Sequence, residues 1–272
     1  FIPFNKCDVY CISVQDDQTN WAAKGPDSTQ GFLQYMKELI GREYLIVHFQ
    51  ACSSNPAVKM IIFARKRHIP KISNIKSEQT IVSKNAISVA VSISFNESQL
   101  LFINSQMPEK ESEKRKLYEQ TCSMNISNKS IPILSQFDEI FWMGNMKFKI
   151  NMEEEDASKL ALNLDNVPSL VEADSFVKTK DEENSLFYGF DEAPISFLPS
   201  SMQPPSYADR ILWKSNALNR INCEKYMTYD EGFEEGQSSH HPVYAIFNLA
   251  TERTFGGVFC QQPPCMVKIE YL

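Results

Sequence analysis

The sequence contains no apolar run approaching the roughly 20 residues a helix needs to cross a bilayer, so it offers no membrane-spanning helix. Positive charge is also short: 27 Lys and Arg stand against 34 Asp and Glu, a net charge of −7. That balance excludes a protein that holds nucleic acid through its overall charge, and any phosphate recognition must come from a local basic cluster. Glycine (9) and proline (14) form no low-complexity linker, and no internal repeat is visible. No signal peptide stands at the front, but Phe1 is not an initiator, so the chain is expected to be a piece of a longer one. The seven cysteines are odd in number and scattered, which favours thiols in a reducing cytosol over a disulfide framework. Cys260 and Cys265 lack a second Cys/His pair nearby, which argues against zinc. Asn96, Asn125 and Asn128 open glycosylation sequons in form only.

What is present suffices for a substantial core. At 272 residues with 43% hydrophobic content, the chain is one large α/β sandwich or two modest domains. Strand-like runs fall at Val9–Val14, Tyr44–Gln50, Val58–Ala64, Ile87–Phe95, Leu100–Asn104, Glu139–Met143, Arg210–Trp213 and Val243–Leu249. Thr29–Ile40 reads as an amphipathic helix with Phe32, Leu33, Met36 and Ile40 inward, and Glu109–Ser123 as a charged surface helix. Glu153–Leu162 and Val167–Lys178 read as acidic, solvated helices. The Gly256-Gly257 and Pro263-Pro264 pairs mark a break, after which Met266–Leu272 alternates like a strand.

Three segments carry chemistry in their order and spacing. Phe141–Ile150 reads FWMGNMKFKI, Pro204–Ser215 reads PPSYADRILWKS, and Ser238–Val243 reads SSHHPV. They resemble the motifs F-W-x-G-D-x-N-F/Y-R/K, P-S-W-C/T-D-R-I/V-L-W/F and S-D-H-x-P-V of the inositol polyphosphate 5-phosphatases, nearest the Src-homology-2-containing branch. The resemblance implies a four-layer α/β/β/α sandwich of the DNase I-like type over residues 1–250. It also implies magnesium, a phosphoinositide or inositol phosphate ligand, and a cytoplasmic protein working at the inner membrane face. The family's earlier strand, T-W-N-x-G/N, would precede Phe1, and residues 251–272 would begin a following β-sandwich domain, as in that branch.

Position by position, the reactive residues depart while the scaffold remains. Cys7–Asp17 resembles D-I/V-Y-V-I-G-x-Q-E, and Asp16 stands where the family has its magnesium-binding Glu. The carboxylate is kept but withdrawn by about one methylene, which octahedral Mg2+ tolerates poorly. A plain turn-capping Asp is the competing reading. Asn85 matches the family's G-N-K-G, with Ala86 for its Lys, and Asn104 matches F-V/I-N-S/C-H-L, with Gln106 for its His. Gln106 can bond a phosphate oxygen but carries no proton or charge near neutral pH.

The decisive change is Asn145 for the family's water-activating Asp, joined by Lys147 for its Asn. An amide cannot serve as a general base, a role typically worth ~10²–10⁴-fold. Ser239 replaces the Asp of S-D-H, which removes a carboxylate partner from His240, the family's phosphate-contacting histidine. Ser201 and Met202 replace a Tyr and a basic residue that grip the neighbouring ring phosphate. Asp209, Arg210 and Trp213 are kept, and bracing the last strands through an ion pair and a buried aromatic is favoured over contacting substrate. Arg65-Lys66-Arg67-His68 and Lys114-Arg115-Lys116 are solvated faces able to attract an anionic headgroup. The leading expectation is a catalytically impaired pseudophosphatase that acts as a phosphoinositide- or protein-binding module, with Mg2+ binding weak or lost. The alternative is an active Mg-dependent 5-phosphatase with a rearranged pocket. A nuclease of the same superfamily is disfavoured by the acidic charge.

Overall fold

The computed structural model describes residues 7–15, 28–127, 130–216, 220–229 and 240–250, and the backbone of 265–271. Along the chain the strands are β1 (Val9–Val14), β2 (Tyr44–Ala51), β3 (Lys59–Arg65), β4 (Ile72–Ser83), β5 (Ala86–Phe95), β6 (Ser98–Gln106), β7 (Glu139–Asn145), β8 (Ser201–Met202), β9 (Pro205–Ser206), β10 (Asp209–Ser215), β11 (Ile221–Thr228), β12 (Val243–Leu249) and β13 (Cys265–Tyr271). The α-helices are α1 (Ser28–Ile40), α2 (Glu111–Cys122), α3 (Glu154–Leu160), α4 (Val167–Ala173) and α5 (Ser175–Thr179). Two sheets face one another, one ordered β11-β12-β13-β1-β3-β2 and the other β10-β7-β6-β5-β4.

Three apolar layers hold this stack together. Between the sheets lie Val9, Cys11, Ile62, Val89, Phe102, Phe141 and Phe247, all buried. Outside the six-stranded sheet, Phe32, Met36 and Ile40 of α1 pack on Tyr10, Ile12, Ile61 and Phe63. Outside the five-stranded sheet, Leu117, Phe176 and Phe187 cover Leu101, Ile103 and Trp142. The result is the expected α/β/β/α sandwich. Its continuous apolar strands follow from burial on both faces, which removes any need for polar alternation.

Strand periodicity decides which residues reach the inter-sheet space. In β6, Leu100 and Phe102 point between the sheets, so Asn104 and Gln106 share that face, while Leu101 and Ile103 point outward. In β7, Phe141 and Met143 point inward, which carries Asn145 to the same face at the strand end. In β10, Ile211 faces inward with Asp209, and Leu212 faces outward with Arg210.

Several strands differ from the sequence expectation, the two-residue β8 and β9 among them. The tail segment read as the start of another domain is instead β13, lying between β1 and β12 in the main sheet. The edge strands β4 and β11 escaped the apolar reading because polar and charged residues interrupt them and most of their exposed positions are polar. The helix expected over Val167–Lys178 breaks at Asp174, whose extended backbone lets its carboxylate cap α5 through the Val177 N–H (2.9 Å).

Candidate functional site

A cleft of about 540 Å3 opens at one rim of the sandwich, lined by Glu109, Asn145, Lys147, Lys149, Ser201 and His240, with residues 203–206 along one wall. Gln15, directly after β1, ties the two sheets together beneath it. Its Nε2 donates to Asn104 Oδ1 (2.5 Å) and to the Ser105 carbonyl, and its Oε1 accepts the Asn145 N–H (3.0 Å). Gly144 makes this approach possible: at φ +138° a side chain is strained, and the Ser105 backbone and Gln15 Nε2 fill the space of a Cβ. Asn145 follows with its amide Oδ1 buried and without a hydrogen-bond partner among the described residues.

The next residues form a basic wall. Lys147 takes a left-handed conformation (φ 50°) and its carbonyl accepts from Lys114 Nζ (3.0 Å). Phe148 turns inward beneath that ammonium, 4.5 Å from ring centre to Nζ. Lys147 and Lys149, two apart, therefore project to the same side and meet the two oxygens of Glu109 at 3.6 and 3.1 Å. Burial pulls the Lys114 pKa down, opposed by the Glu111 carboxylate 3.5 Å away. Lys114 is thus a buried prop rather than part of a solvated face. In the other basic cluster, Arg67 (2.7 Å) and His68 (2.9 Å) converge on Asp8, which ties the segment after β3 to the chain before β1.

On the neighbouring strand, Asp209 lies directly opposite Asn145 in the β7–β10 ladder. Its Oδ2 accepts from the Ser200 hydroxyl (2.7 Å) and from His240 Nδ1 (2.5 Å). His240 thus keeps a carboxylate partner despite the change at Ser239, contrary to the sequence expectation. Asp209 orients a histidine and is not placed as a ligand-contacting group.

Two other expected binding residues have structural positions. Arg210 is fully buried on the outer face, with Asp174 at 2.6 Å, Glu192 at 2.7 Å and the Phe176 ring 4.7 Å away. Burial pulls its pKa down, but the two carboxylates outweigh that and hold it above the ordinary value. Tyr226 completes the cluster by donating to Glu192 (2.9 Å). Arg210 therefore braces strand to helix rather than contacting a ligand. Asn104 is also fully buried, donating to the carbonyls of Lys59 (2.9 Å) and Val14 (3.3 Å), so it stitches β6 to β1 and β3.

Asn85 sits exposed in the β4–β5 turn, and Gln106 ends β6 in register with Asn145; neither is among the cleft-lining residues. Asp16 and Ser239 lie outside the described residues. Sequence reasoning passed over Gln15, Ser200 and Glu109. Gln15 was legible, since it precedes Asp16 in the same motif. Glu109 carried no local signal, because only folding brings it to Lys147.

Among the described residues, no group of three or more His, Cys, Asp or Glu is arranged to hold a metal ion. Asn145 contributes a neutral amide, the Asp209 Oδ2 is engaged by His240, and Glu109 is engaged by two ammonium groups. The described part of the lining therefore offers few free oxygens of the kind that Mg2+ takes in its near-octahedral shell, and Asp16 lies outside the described residues.

The sequence profile of Endonuclease/Exonuclease/phosphatase family 2 matches residues 3–246. The human phosphatidylinositol 3,4,5-trisphosphate 5-phosphatase 1 is 24% identical over 289 residues, covering 91% of this chain and 23% of the relative. The chain thus spans about a quarter of that relative's length. The inositol polyphosphate 5-phosphatase domain of SPsynaptojanin, solved with inositol (1,4)-bisphosphate and calcium ion, superposes with a TM-score of 0.73 at 17% identity, covering 97% of this chain and 76% of the other. A Cimex nitrophorin ferrous NO complex superposes at 0.63 with 20% identity, covering 87% of this chain and 85% of the other. Two such different proteins on one scaffold mean that the fold alone does not fix the chemistry. Motifs, fold and profile agree on the lineage: the chain belongs to Endonuclease/Exonuclease/phosphatase family 2, as an inositol polyphosphate 5-phosphatase-like domain.

Proposed function

We propose that this domain has lost hydrolysis and works as a binding module for the phosphorylated headgroup of a phosphoinositide or for a soluble inositol phosphate. The observation that carries this reading is Asn145, opposite Asp209 at the cleft, where the family resemblance places the water-activating carboxylate. An amide there accepts no proton, and Lys147 adds a second ammonium beside Lys149 in the cleft. Lys147, Lys149 and His240 supply anion-binding groups within one cavity. Mg2+ binding is weak or lost on this reading, with Asp16 the one residue in a metal-ligand position. The setting that follows from the ligand is a cytoplasmic protein with peripheral contact at the inner membrane face, open to a protein partner.

The test is phosphate release from PtdIns(3,4,5)P3 and PtdIns(4,5)P2 with and without Mg2+. The expected result is background release by the native chain. Turnover of roughly 1 s⁻¹ or faster, the ordinary range of enzymes, overturns the proposal. Reversion of Asn145→Asp with Lys147→Asn and Ser239→Asp should raise release by at least ~10²-fold, the span of one restored acid–base role.

A second reading, an active phosphatase with a rearranged pocket, is favoured by the intact Ser200–Asp209–His240 chain. It requires Mg2+-dependent release that vanishes in His240→Ala.

A further inference from the structure

The two oxygens of the Glu109 carboxylate sit between Lys147 and Lys149, one toward each ammonium, at 3.6 and 3.1 Å. This is the arrangement in which an anionic ligand group would bridge two cations, and all three side chains line the cleft that also holds His240. Glu109 belongs to the short segment joining β6 to α2, anchored on both sides. Met107 N–H donates to the Asn145 carbonyl (2.8 Å), and Lys114 Nζ donates to the Lys147 carbonyl (3.0 Å). The backbone is therefore fixed while the Glu109 side chain itself is 62% exposed and has room to swing.

Resting on the proposed anion-binding role, we propose that Glu109 is a built-in competitor in this cleft. Its carboxylate holds the place of a phosphate monoester between Lys147 and Lys149 and must leave before that ligand binds. Part-burial raises the Glu109 pKa, but Lys149 and Lys147 together overcome this and keep it below the ordinary value, so the competitor is charged at neutral pH. A ligand with several phosphates displaces it best, since one group can engage the lysines while another reaches His240. A single weak anion gains too little to replace an exposed ion pair of this kind.

The experiment is calorimetric titration of the whole chain with inorganic phosphate and with inositol 1,4,5-trisphosphate, comparing native protein, Glu109→Gln and Glu113→Gln. Glu113 is a charge-matched control on α2, 4.0 Å from the exposed Lys110. Removing the competitor should tighten trisphosphate binding about three- to fivefold, the upper scale of one exposed ion pair released. The control should stay within about twofold, and adding Lys147→Asn to Glu109→Gln should erase the gain. Native protein that binds, with Glu109→Gln binding equally or less tightly, overturns the competitor and leaves the binding function standing. Equal tightening by Glu113→Gln also overturns it, because net charge then explains the effect. No binding by any variant, with all of them melting like the native protein, overturns both readings.

Discussion

Single residues at this rim are constrained by very close packing. Gly144 is held at φ +138° with the Ser105 backbone and Gln15 Nε2 where a side chain would begin. Strain at such a φ costs about 1–3 kcal/mol before any collision. Gly144→Ala should therefore lower the unfolding free energy by at least about 2 kcal/mol, read as a fall in the urea midpoint at unchanged slope. An unaltered midpoint would show that β7 can relax around a methyl group. The need for glycine was visible in the motif, but its cause was not. The obstruction comes from β6 and from the residue after β1, far away in sequence.

At the scale of the element, β7 carries a cleft-lining residue, Asn145, at its end and a buried carboxylate at its start. Glu139 opens the strand fully buried, with Arg220 Nε 3.9 Å from its Oε1. Burial pushes its pKa from 4.5 up to about 7, with Ser215 and Arg220 drawing it partly back. Below about pH 4.5 folded and unfolded chains both hold this proton, and the site's stabilisation is fully present. As pH rises toward 7 the unfolded chain releases the proton first, so about 3 kcal/mol is lost across that window. Glu139→Gln should thus raise the melting temperature at pH 8 and change it little at pH 4.5. An equal shift at both pH values would mean that the carboxylate is not protonated in the folded chain. The same element scale explains Arg210. Alternation along β10 sends Asp209 to the inter-sheet face, where it holds His240, and Arg210 to the helices, so the kept D-R pair has divided roles.

At the scale of the whole molecule, the six-stranded sheet depends on a strand that arrives last in sequence. β13 lies between β1 and β12, parallel to the first and antiparallel to the second. Without it, β11 and β12 form a separate hairpin, which is marginal by itself in water. A chain ended before Cys265 should lose its cooperative thermal transition and bind a hydrophobic dye. A sharp melt within a few degrees of the full chain would show that β12 closes directly onto β1. The placement of Asp174 and Glu192 around Arg210 belongs to this scale too, since three separate segments meet in one buried charge cluster.

Most of the buried strands were legible as apolar runs, and the resemblance of short motifs to a known family implied the sandwich and the replaced reactive positions, because runs and motifs are local properties. The sequence by itself did not separate binding residues from braces. Asn104 and Arg210 carry the chemistry of a ligand site, yet Asn104 is satisfied across the sheets and Arg210 by two carboxylates on the outer face. Only the tertiary structure brought Glu109 between Lys147 and Lys149 and set β13 into the main sheet. Both depend on contacts between segments whose separation no local pattern encodes.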